Sequence, residues 1–188
     1  MSRRALLAAV LLGLAACTGG GANNQHAAEI AAGKATGTAP AANATAPARG
    51  DASTLVLDRQ RLADLCIHET DRTRSIRQLG AARRMALNLC LNTETARQLE
   101  PRLPVRIGPG AVLDRVTLEG AALVYRYRLD RRVAEMRPGS GDRLEADTRR
   151  TACAGEDVQQ IIALGGVQIY RWVDRDEAPI REVRIVRC

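Results

Sequence analysis

Every aromatic side chain of this 188-residue chain falls in two short motifs, Tyr125-Arg126-Tyr127 and Tyr170-Arg171-Trp172, and Phe is absent. The core is therefore aliphatic. Alternation at period two puts Tyr125 and Tyr127 on one strand face with Leu123 and Leu129, and Arg126 and Arg128 on the other. Tyr170 and Trp172 likewise share a face, opposite Val167, Ile169 and Val173. Two readings follow. In one, the aromatics fill space beneath helices and the arginines wet the far side. In the other, Tyr170, Trp172, Arg126 and Arg171 form a candidate binding surface that meets a partner's strand, acidic patch or glycan.

The flanking patterns supply the remaining elements. Leu62, Leu65, Cys66 and Ile67 follow helical spacing, and Leu79-Gly80 breaks it. Met85, Leu89, Ala96 and Leu99 predict a second helix, ended by Pro101 and Pro104. Gly108-Pro109-Gly110 is a turn, and 112–118 and 122–129 read as strands joined at Glu119-Gly120. Asp142 with Glu145 resembles a helix-start box after the loop at 138–141. Val158, Ile161 and Ile162 stripe a short helix closed by Gly165-Gly166. Residues 167–173 and 180–187 make a second hairpin around 174–179, where Asp174 and Asp176 read as a solvated turn. The expectation is an α+β domain with a four-stranded antiparallel sheet from two hairpins, each preceded by helices, covered on one face and closed by two disulfides.

The N-terminus decides the compartment. Ser2, Arg3 and Arg4 precede an apolar run over 5–14 broken only by Gly13, followed by Ala15, Ala16 and Cys17. That is the layout of a signal peptide over residues 1–16, and no apolar run reaches the ~20 residues of a permanent span. Leu14-Ala15-Ala16-Cys17 resembles the lipobox of bacterial lipoproteins. The resemblance implies cleavage before Cys17 and lipidation of that residue with three acyl chains. Each buried methylene contributes about 0.8 kcal/mol, so three chains anchor stably where one does not. Thr18 in place of Asp implies the outer membrane, periplasmic face. Residues 17–53, rich in Gly, Ala, Asn, Thr and Pro, read as a lipidated flexible tether with a reach of about 30–36 Å. The periplasmic domain is then 54–188.

Four cysteines remain: Cys66, Cys90, Cys153 and Cys188. An even number in an exported domain implies disulfides, with three possible connectivities. We favour Cys66–Cys90, between the first two helices, and Cys153–Cys188, from a helix end to the last strand. No Cys-x-x-Cys pair offers a metal or redox site, and no cofactor motif is present. His68 is the domain's one histidine, and Arg72 stands where a zinc-protease helix needs its second. Ser75 and Ser140 lie outside any nucleophile elbow. From residue 54 on, 24 basic residues face 19 acidic ones, interspersed, so a nucleic-acid partner is not expected.

The last 85 or so residues resemble a family of small exported bacterial proteins without assigned activity. The resemblance rests on Leu103-Pro104, Leu113-Asp114-Arg115-Val116, Gly120, Leu123-Val124-Tyr125-Arg126-Tyr127, Cys153, Gly166-Val167, Tyr170, Asp174 and Cys188. It implies the hairpins and the Cys153–Cys188 pairing, and carries no catalytic residue across. The expected function is non-enzymatic: a membrane-anchored envelope lipoprotein whose domain binds another envelope protein or a cell-wall component. Pilot and accessory subunits of secretion machines share this plan of lipid, linker and small disulfide domain, by analogy. The alternative is an inhibitor or immunity protein that plugs an envelope hydrolase with a protruding hairpin.

Overall fold

A computed structural model describes residues 50–188. The signal segment, Cys17 and the tether as far as residue 49 lie outside the described residues. The elements are β1 (Gly50–Asp51), α1 (Arg59–Cys66), α2 (Ala81–Leu99), β2 (Val105–Gly108), β3 (Ala111–Glu119), β4 (Ala122–Leu129), α3 (Ser140–Ala154), α4 (Glu156–Ala163), β5 (Gln168–Val173) and β6 (Pro179–Ile185). No helix among the described residues is long and apolar enough to cross a membrane.

The sheet has six strands in the order β1-β2-β3-β4-β5-β6 and is mixed. This corrects the expected four-stranded antiparallel sheet. Both hairpins form, β3 with β4 and β5 with β6, but they join through a parallel β4–β5 pair. Two helices separate β4 from β5, long enough to return the chain to its starting end, which is what a parallel neighbour requires. The two added strands carry little pattern of their own. β2 spans four residues before the Gly-Pro-Gly turn, and β1 is the dipeptide Gly50-Asp51 inside the stretch assigned to the tether.

Asp58 starts α1, accepting the Arg61 N–H at 2.9 Å. In α2 the buried face is Leu87, Asn88, Asn92, Thr95 and Leu99, whereas Met85 and Leu89 are 67% and 43% exposed. The expected apolar stripe is thus rotated. The reason is polar: the amides of Asn88 and Asn92 both donate to Ala121 O, at 3.3 and 2.8 Å, and fix the helix over the β3–β4 turn. The helix-start box at Asp142 and Glu145 does not form. Gly139 starts α3 from a left-handed conformation, φ 77°, and Asp142 instead pairs with Arg181 on β6.

Leu99, Leu103, Val105, Leu113, Val116 and Leu123 make the core under α2, and Ala152, Tyr170, Val183 and Ile185 make the core under α3. Cys66–Cys90 joins α1 to α2 and Cys153–Cys188 joins α3 to the chain end, with Cα–Cα separations of 5.6 and 5.3 Å.

Candidate docking face

The register pairs Tyr125 with Tyr170 and Tyr127 with Trp172, so all four aromatics share the helix-covered face. Their rings stack, with centroids 5.3 Å apart for Tyr125 and Tyr170 and 4.6 Å for Tyr127 and Trp172. Trp172 Nε1 donates to Thr148 Oγ1 on α3, and the Tyr170 hydroxyl donates to Gln168 Oε1. Burial pushes the hydroxyls of Tyr125, Tyr127 and Tyr170 well above the usual phenol range.

The structure therefore divides the four residues singled out in the sequence. Tyr170 and Trp172 are 9% and 5% exposed, between sheet and helices, and are not available as a surface. Arg126 and Arg171 lie together on the opposite, helix-free face. There Ala122, Val124 and Ile169 are buried beneath polar side chains, with half-buried Val167 beside them.

Two ion-pair groups organise that face. A bulge between Leu113 and Arg115 displaces Asp114 in β3. Its carboxylate accepts two N–H bonds from Arg126, both at 2.9 Å, and lies 3.2 Å from Arg128. Arg171 bonds both carboxylate oxygens of Glu119 and also Glu182 on the neighbouring strand, at 2.7 Å. These bonds push the Arg171 guanidinium up and hold Glu119 below the ordinary carboxylate range.

Both hairpin tips are tied down. The β3–β4 turn is held by Asn88 and Asn92. At the β5–β6 turn Asp174 is 3% exposed and accepts N–H bonds from Asp176, Ala178 and Val133, at 2.8, 2.9 and 3.0 Å. Burial alone would raise its carboxyl; the three donors and nearby Arg132 outweigh burial and hold it below its usual value. The expected solvated turn thus holds only for Asp176, which is exposed and pairs with Arg132. Sequence spacing gave no sign that Asp174 binds the 132–135 loop, because Val133 is 41 residues away.

The remaining candidates have structural places. His68 is exposed in the turn after α1, Ser75 donates its backbone N–H to Gln78, and Ser140 is the first residue of α3. Among the described residues, no group of three His, Cys, Asp or Glu side chains forms a metal-sized cluster. Asp71 lies under Arg83, whose hydrogen bond depresses its carboxyl despite burial.

A mixed six-stranded sheet with helices on one face and a charged, helix-free face on the other defines an α+β class. No known protein family matches the chain. No curated protein matches it either. Three solved structures are similar. A Pseudomonas aeruginosa protein assigned as secreted shares 16% identity over 54% of this chain and 91% of its own, with a TM-score of 0.48. The type II secretion system pilotin AspS of Vibrio cholerae shares 16% over 56% and 95%, TM-score 0.48. The type 2 secretion system pilotin EpsS of Vibrio vulnificus shares 10% over 55% and 92%, TM-score 0.49. Values this low assign neither a family nor a role.

Proposed function

We propose that this chain is a non-enzymatic lipoprotein, held through Cys17 at the periplasmic face of the outer membrane, whose domain binds another component of the envelope. The observation that carries the reading is how the buried polar groups are used. Asp71 holds Arg83, Asp174 holds three backbone donors, Asn88 and Asn92 hold a turn, and Thr148 bridges Trp172 to Leu144 O. Among the described residues, no buried side-chain N or O atom lacks a partner. Polar groups engaged in this way build a rigid scaffold, and the exposed charge of the open sheet face is left for recognition. The lipobox resemblance supplies the anchor, and two disulfides fit an oxidising compartment.

Metabolic palmitate labelling tests the anchor. The full chain takes up label and fractionates with the outer membrane, and Cys17→Ser abolishes both. Labelled chain found in the inner membrane would overturn the location, and absence of label would overturn the lipoprotein reading.

A further inference from the structure

We propose that the free half of β3, residues 115–119, pairs antiparallel with the same residues of a second copy of this chain, about a two-fold axis at Thr117. This goes beyond the reading above and does not depend on the lipid anchor.

β6, the outer strand at one end of the sheet, is partly engaged, because Arg149 of α3 donates to Arg184 O. At the other end, β2 pairs with β3 only at Ala111, Val112 and Leu113. Residues 115–119 pair with β4 on one side, and among the described residues no strand lies on the other. Gly120, at φ 60°, and Ala121 make a two-residue turn between Glu119 and Ala122, which stand in register. The residues that flank such a turn exchange both backbone bonds, and bonded and non-bonded pairs alternate from there. Arg115, Thr117 and Glu119 therefore bond towards β4, while the N–H and C=O groups of Val116 and Leu118 point out of the edge. Those four groups are the template for an added strand.

The occupant is fixed by the stretch itself, which is complementary to its own reverse on both faces. It is bounded by β2 at Leu113 and by the turn at Gly120, and Thr117 is its centre. An antiparallel copy centred there sets Val116 opposite Leu118 of the second copy, and Leu118 opposite its Val116. These are the residues whose backbone groups point outward, so each such pair exchanges two bonds. On the helix-covered side Val116 is buried and Leu118 half-buried, both in the core beneath α2. Apolar side chains thus meet twice across the axis.

On the helix-free side Arg115, Thr117 and Glu119 are exposed. Arg115 stands in register with Arg126, and Asp114 is taken up by Arg126 and Arg128, so Arg115 has no ion pair among the described residues. Glu119 is bonded by Arg171, and its carboxylate keeps lone pairs for a second donor. The symmetric register puts Arg115 of each copy opposite Glu119 of the other, and Thr117 opposite Thr117. Opposite charges and paired threonines are favourable cross-strand neighbours. Moving the centre one residue either way sets Thr117 opposite Arg115 or Glu119 and loses both ion pairs. Charge complementarity therefore selects the register as well as the occupant. The two-fold contact uses the same patch on both copies and closes at a dimer.

The test uses the full chain carrying Thr117→Cys. A residue on the axis meets itself, and the non-hydrogen-bonded pair brings the two Cα atoms to about 4.5 Å, within disulfide reach. Under mild oxidation Thr117→Cys gives a covalent dimer, while Arg184→Cys on β6 stays at the level of the wild-type chain, which is the blank for Cys17. Adding Arg115→Glu to Thr117→Cys lowers the yield by about tenfold or more, because like charges then face each other twice. Mixing that chain with one carrying Thr117→Cys and Glu119→Arg restores the crosslink, since both pairs are again opposite in charge. Melting temperatures verify that the variants fold. A second measurement needs no variant: raising the concentration of the wild-type chain slows amide hydrogen exchange at Val116 and Leu118 and leaves β6 unchanged. Equal crosslinking at Arg184→Cys, a yield indifferent to Arg115→Glu, or exchange at 116 and 118 that slows only when a different envelope protein is added would overturn the pairing.

Discussion

Arg171 on β5 reaches over β4 to Glu119 on β3, and the paired side chains lie across Val124, which is only 2% exposed although no helix covers it. Glu119 pairs in register with Ala122, and Arg171 with Arg126, so Val124 is the one residue of that face between them. The charges themselves are partly exposed, at 35% and 46%, and such pairs contribute about 0.2–1 kcal/mol. The aliphatic stem of the arginine adds apolar cover. Arg171→Ala is therefore expected to lower unfolding free energy by about 1–2 kcal/mol, and Arg171→Met by clearly less. Urea titrations compare them; equal losses would mean that charge, not cover, stabilises this face.

Asp174 ties two loops, and its two oxygens have different partners. Oδ1 accepts from Asp176 and Ala178, and Oδ2 accepts from Val133. Asp174→Asn keeps an oxygen for the turn and sets an amide N–H against the Val133 N–H. The expected loss is about 1.5–3 kcal/mol, and Asp174→Ala loses more. The folded carboxyl titrates below its ordinary value of 3.8. Its stabilisation is thus complete above that value and is lost as pH falls through the lower, folded pKa. Thermal melts from neutral to acid pH should show a step below pH 3.8 that is missing in Asp174→Asn.

The elements with strong periodicity were legible in the sequence. Ala122–Leu129 falls on the strand expected at 122–129, and α4 falls on the stripe of Val158, Ile161 and Ile162. What was hidden depended on contacts distant in the chain. The core face of α2 is chosen by Asn88 and Asn92, polar residues that a hydrophobic pattern skips, and this turned Met85 and Leu89 outward. The parallel β4–β5 pair depends on where α3 and α4 deliver the chain, which local alternation does not encode. Alternation did place Tyr170 and Trp172 on one face, but gave no sign of which side the helices cover. Because both are buried, their alanine variants report on folding rather than on docking.

The stacked tyrosines give an alkaline counterpart to Asp174. Tyr125, Tyr127 and Tyr170 are all held neutral beyond the ordinary phenol pKa of 10.0, chiefly by burial. The unfolded chain ionises near that value while the folded chain does not. Stability is unaffected below pH 10 and falls above it. Phenolate absorbance should therefore rise cooperatively with loss of circular dichroism. A smooth titration of even one tyrosine with the fold intact would show that its hydroxyl is reached by water.

Gly166 stands where α4 delivers the chain to β5, with its N–H on Ile161 O at 2.9 Å. A Cβ there would lie 2.7 Å from Ile161 Cγ2 and 2.8 Å from Ile161 O, and closer still to Asn88 Oδ1. These distances are shorter than van der Waals contact, and the Ile161 oxygen is backbone that has little room to move. Gly166→Ala should destabilise by about 1–3 kcal/mol through overpacking. Asn88→Ala alone also destabilises, because Ala121 O loses one of its two amide donors. Together the two substitutions should cost less than their sum, since removing the Asn88 amide opens the space that the new methyl needs. A double-mutant cycle by urea denaturation measures that difference. Strict additivity would show that the strain of Gly166→Ala falls on Ile161, and that the amide of Asn88 does not set how closely α2 approaches the start of β5.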